Sequence, residues 1–189
     1  INLDYYRVSP LAYYFNIIDI IREKYKNNDK KLLFHIYSQN DINDYKLYNN
    51  IGLAYLKLKD LEQAIKFFNR AINSNIGSYE SYLNLAICYL DIGKNTSAEK
   101  MIEMAISLNP KSSLAHRIHG LILDKQSSYF NALESVKKSL QIEPLNNESV
   151  ILLMKIYLNT LQHEKWMDLY FKIDFSKCDS RDIFSLPLS

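Results

Sequence analysis

Apolar residues along this chain recur at helical spacing. In residues 48–71, Ile51 and Leu58 stand seven apart, and Leu61, Ile65 and Phe68 follow four and three apart. Such spacing lines up one face of a helix, and it predicts two helices in this stretch, separated by a short polar turn. Small residues alternate with large rings: Gly52, Ala64 and Ala71 fall among Tyr48, Tyr55 and Phe68. Two antiparallel helices approach closely only where side chains are small. The expectation is therefore a tight pair at the small residues, with the rings filling the space between that pair and the next. Pro110 and Pro144 follow helical runs, where a new helix can begin, and Ser78, Asn109 and residues 110–113 supply caps and turns.

The same pattern returns at a step of 34 residues. Tyr48 maps to Tyr82 and His116, Ile51 to Leu85 and His119, Gly52 to Ala86 and Gly120, and Tyr55 to Tyr89 and Leu123. Ala64 maps to Ala98 and Ala132, Phe68 to Ile102 and Val136, Ala71 to Ala105 and Ser139, and Ile76 to Pro110 and Pro144. An aromatic, then Leu-Gly, Tyr, Ala, a large apolar residue, Ala and a closing Pro resembles the tetratricopeptide repeat family. The resemblance implies an all-α fold, an α-solenoid of stacked antiparallel helix pairs wound into a superhelix. Three repeats are expected at 45–78, 79–112 and 113–146, flanked by degenerate pairs at 1–44 and 147–175 and a tail at 176–189. At the ends Lys30, Met154 and Trp166 replace small residues. Met154 and Trp166 should push the last helices apart, so that this pair packs differently or caps the stack.

Composition narrows the function classes. With 189 residues and 48% hydrophobic content the chain can bury a sizeable core. A net charge of +2 with dispersed basic residues gives no support for nucleic-acid binding. No apolar run approaches the roughly 20 residues needed to cross a bilayer, so membrane insertion is not expected. Cys88 and Cys178 form no disulfide framework, which favours a reducing, cytoplasmic location. The start at Ile1 suggests an excised piece of a longer protein.

In the family that the repeats resemble, first helices line a concave groove where ligands lie. This implies a peptide or protein partner and nominates Asn16, Asn49, Asn50, Leu53, Leu83, Asn84, Ile87, Arg117, Ile118 and Leu121 as groove positions. Asn16, Asn50 and Asn84 recur at one repeat position, which then becomes Ile118 and Leu152. A carboxamide carries donors and an acceptor, so a regular series can clamp an extended backbone. Ladders of this kind occur in the O-linked N-acetylglucosamine transferase family; solvated surface positions fit the same residues. Leu83, Ile87, Leu114, Ile118, Leu121, Ile151 and Leu152 are expected to make an apolar inner surface. It could receive an anchor or amphipathic helix of a partner, the chain's own tail through Ile183, Phe184 and Leu186, or a second copy. The carboxylate clamp of chaperone-binding members is a poor match: its five positions hold Asn49, Leu53, Asn84, Leu114 and Ile118, and only Asn84 agrees.

Catalytic signals are weak. His116 and His119 share a helical face, but they occupy packing positions with no acidic ligand placed nearby by sequence, so no metal or cofactor is expected. Neither cysteine has a visible base, and no phosphate loop or nucleophile elbow occurs. Asn95-Thr-Ser and Asn147-Glu-Ser match the glycosylation pattern, which matters only in a secretory compartment. The resulting expectation is a non-catalytic binding scaffold. The alternatives are a targeting module of a larger enzyme, such as a glycosyltransferase, and a secretion-type chaperone.

Overall fold

The computed structural model describes residues 45–144 and 146–170. Eight helices occupy these residues: α1 Tyr45–Lys57, α2 Leu61–Ser74, α3 Tyr79–Asp91, α4 Asn95–Leu108, α5 Ser113–Lys125, α6 Tyr129–Ile142, α7 Asn147–Asn159 and α8 His163–Tyr170. The fold is all-α, a solenoid of antiparallel helix pairs. The chain forms two compact units, Ile1–Cys88 and Tyr89–Ser189.

Local chemistry sets the helix boundaries. Asp60 caps α2 by accepting from the Gln63 N–H at 3.3 Å, Ser112 caps α5 through the Ala115 N–H at 3.2 Å, and Asn146 caps α7 through the Ser149 N–H at 2.9 Å. Within each pair the turn carries one left-handed residue, Lys59 (φ 60°), Gly93 (φ 75°), Ser127 (φ 60°) and Leu161 (φ 56°). These four occupy the same position of successive repeats. Only Gly93 adopts that conformation without a Cβ penalty.

In the first unit the small residues act as expected. Ala64 and Ala71 are fully buried, and Gly52 faces Phe68 of α2. Phe68 corrects the sequence expectation, because its ring fills the space inside the α1–α2 pair. A neighbouring ring, Phe67, stacks on Tyr55 with centroids 5.5 Å apart and lies 6.5 Å from Tyr48. The Arg70 guanidinium stands 5.5 Å from the centre of the Phe67 ring.

In the second unit, Leu123, Ala132, Val136, Leu152, Leu153, Ile156 and Tyr157 form one core that joins α5, α6 and α7. Ser139 stands where the earlier repeats place alanine, and its hydroxyl is satisfied by the buried Ser149 hydroxyl at 2.9 Å. Met154, in the position of Gly52 and Gly120, is completely buried, with Trp166 and Leu169 of α8 packed beside its cluster. A long side chain at that point holds α8 at its surface, and no residue of α8 is buried. The positions Tyr14, Asn16, Ile17, Lys30, Cys178, Ile183, Phe184 and Leu186 lie outside the described residues. Among the described residues no helix is long and apolar enough to cross a membrane.

Candidate binding surface

The first helices of the pairs present two polar arrangements, one in each unit. In the first unit, the Asn84 side-chain N–H donates to Asn49 Oδ1 at 3.0 Å, and the Ser81 hydroxyl donates to the same oxygen at 3.4 Å. Ser81 in turn shares a hydrogen bond of 2.8 Å with Ser78. This chain of side chains holds Asn49 and Asn84 in fixed orientation. It leaves the Asn84 Oδ1, one Asn84 N–H and the Asn49 amide N–H groups available. Asn50 is half-buried, and its side chain makes no hydrogen bond to a described residue. Leu53 and Ile87 are also half-buried, while Leu83 is buried.

In the second unit, two ion pairs bridge α5 and α7. Arg117 meets Glu148 at 2.6 Å, and Lys155 meets Asp124 at 2.8 Å. Asp124 is almost fully buried and accepts a second hydrogen bond from Asn159 at 3.0 Å. Positions 117, 121 and 124 share one face of α5, and 148, 152, 155 and 159 share one face of α7. Leu121 and Leu152 thus stand between the two ion pairs. Sequence reasoning found Arg117 but missed Glu148, Asp124, Lys155 and Asn159, because charges at those spacings also read as a solvated helix face.

The apolar inner surface is smaller than its sequence suggests. Leu83, Ile118, Ile151 and Leu152 are 5%, 7%, 8% and 7% exposed, and of the seven residues only Leu114 is open, at 39%. Leu152 and Ile151 belong to packed clusters, where they bury their area against α5, α6 and α8 instead of offering it to solvent. The clamp positions Asn49, Leu53, Asn84, Leu114 and Ile118 contain no cation.

The two histidines divide in role. His116 is buried and donates from Nε2 to the Pro110 carbonyl oxygen at 2.9 Å. His119 is half-buried beside Ser135, whose hydroxyl lies 3.1 Å from Nδ1. Burial pushes the His119 imidazole below its ordinary pKa, Glu103 and Glu99 pull it up, and His116 and Lys138 add to the lowering. Both glutamates come from α4, so the tertiary fold supplies the acidic neighbours that the sequence kept 16 and 20 residues away. Cys88 is fully buried.

Comparison with known proteins agrees with the helix pairing. The tetratricopeptide repeat profile matches residues 45–75 and again 79–112. The crystal structure of MamA protein is similar over 94% of this chain and 97% of that chain, with a TM-score of 0.73 at 20% identity. The first repeat domain of Spaghetti (RPAP3), bound to the HSP90 peptide SRMEEVD, gives a TM-score of 0.62 at 21% identity over 64% of this chain and 96% of that chain. The second such domain of human RPAP3, in complex with the HSP70 peptide SGPTIEEVD, gives 0.56 at 28% identity over 58% of this chain and 91% of that chain. No curated protein matches the sequence significantly. The repeat matches, the eight helices of the described residues and the structural likeness together show tetratricopeptide repeats in this chain.

Proposed function

We propose that this protein is a non-catalytic interaction module that grips an extended segment of a partner protein along its first helices. The observation that carries this reading is the Asn49–Asn84 pair, a preorganised amide whose unused donors and acceptor suit a peptide backbone. Orientation by Ser81 lowers the entropy lost on binding, which is the general advantage of a fixed site. Asn50 and Leu53 extend the contact on α1, and Ile87 extends it on α3. In the second unit, Arg117, Ile118 and Leu121 on α5 offer a contact surface of their own.

The RPAP3 domains bind peptides that end in Glu-Glu-Val-Asp. Asn49, Leu53, Asn84, Leu114 and Ile118 include no cation, so those positions offer nothing to neutralise a terminal carboxylate. The favoured ligand is therefore an internal segment held through its backbone. An array of overlapping peptides tests the reading. Binding by wild type and its loss in the Asn50→Ala/Asn84→Ala double variant, with helicity unchanged, is the expected result. Retention of binding by that variant refutes the clamp. On the peptide SRMEEVD, amidation of the C-terminus is expected to make no difference.

A further inference from the structure

Between α4 and α5 three side chains of metal-binding type come together. Glu99 and Glu103 stand one turn apart on α4 and His119 comes from α5, and one donor atom from each lies within 4.8 Å of the other two. Donors shared by one zinc ion at about 2.0–2.1 Å lie about 3–4 Å apart. Small rotations of the two glutamates close that gap, since Glu103 is exposed and Glu99 half-buried.

Three observations separate this group from a solvated acidic face. The first is the state of the imidazole. Its Nδ1 is engaged by the Ser135 hydroxyl of α6 at 3.1 Å, which orients the ring and leaves Nε2 for a ligand. Metal-binding histidines are held by such a bond on the other nitrogen. The second is the fixing of Glu99, whose Oε2 accepts from the Gln126 side chain at 2.9 Å, leaving Oε1 for a ligand. The third is charge and unmet acceptor capacity. Carboxylates four apart on a helix repel each other, yet neither Glu99 nor Glu103 is ion-paired to a lysine or arginine among the described residues. One turn before Glu99 on the same helix, the buried Oδ1 of Asn95 has no hydrogen-bond donor. Two carboxylates beside an oriented imidazole make a cation's environment.

We infer that Glu99, Glu103 and His119 bind a divalent first-row transition metal, zinc being the ion that suits one imidazole and two carboxylates with water completing the shell. The ion ties α4 to α5, one helix pair to the next. Magnesium and calcium, which take oxygen ligands, are disfavoured by the imidazole.

Isothermal titration calorimetry of the chelator-stripped full chain with zinc chloride tests this assignment. The expected result is one zinc per chain with a rise in melting temperature, and no response to magnesium chloride at the same concentration. Glu103→Gln, at an exposed position that leaves the fold intact, weakens binding by more than about tenfold, and His119→Asn abolishes it. Ser135→Ala weakens it by about tenfold through loss of the bond that orients the ring. Cobalt(II) binding should give a visible absorption band in wild type that disappears in Glu103→Gln. The inference is overturned if the wild type takes up no zinc at one equivalent, or if Glu103→Gln and His119→Asn bind it as wild type does.

Discussion

Replacing Gly52 by alanine sets two opposed effects against each other inside the α1–α2 pair. In an unobstructed helix the change stabilises by about 1 kcal/mol, because glycine has the greater backbone entropy to lose. Here the new Cβ would stand 2.6, 2.7 and 2.9 Å from Cε1, Cδ1 and Cζ of Phe68. Carbon atoms at rest stay about 3.5–4.0 Å apart, so the ring must retreat by roughly 1 Å. Phe68 is fully buried, so its ring has no solvent to retreat into. Overpacking of a closed core costs about 1–3 kcal/mol, and three simultaneous contacts place this site toward the upper end. Subtracting the propensity gain leaves a net loss of about 1–2 kcal/mol. Urea unfolding followed by far-ultraviolet circular dichroism measures it as a lower midpoint. Combining Gly52→Ala with Phe68→Leu should recover part of the loss, a favourable coupling of about 1–2 kcal/mol. If Gly52→Ala alone raises stability, the close approach of α1 and α2 assigned to this glycine is wrong.

Backbone strain gives a second prediction. Leu161→Gly should stabilise by about 1 kcal/mol, since Leu161 is 76% exposed and holds φ 56°. Gly93→Ala should lower the melting temperature even though nothing lies within 4 Å of its added Cβ, because φ is 75° there. Lys155→Met removes the charged partner of buried Asp124 and leaves it only Asn159; the expected loss is about 1.5–3 kcal/mol in chemical unfolding. Burial, and then Asp60, raise the Tyr55 pKa. The unfolded residue ionises near about pH 10 while the folded one keeps its proton, so its contribution is intact below that pH and is lost as pH rises through the folded value. Tyr55→Phe should flatten this alkaline decline in a stability–pH series.

Much of the architecture was legible because one physical constraint repeats. Helices that meet at small residues must place them at a fixed step, and Gly52, Ala64, Ala71, Ala98, Ala105, Gly120 and Ala132 follow that step. The candidate surface was legible only in part. Periodicity locates Leu83, Ile118, Ile151 and Leu152 on one face of their helices. It cannot tell whether another element covers that face, and all four are buried. Asn49 and Asn84 could be nominated from their positions, but their shared hydrogen bond needed the distance between α1 and α3.

The sequence alone determined helix identity, phase and pairing, because each depends on residues within one turn or one repeat. The tertiary structure decided which rings fill which space, as with Phe68 against Gly52 and Phe67 against Tyr55. It also decided which distant groups share a charge environment, as with His119 beside Glu99 and Glu103. Those outcomes depend on distances between helices, and a one-dimensional pattern carries no measure of distance across the space it folds into.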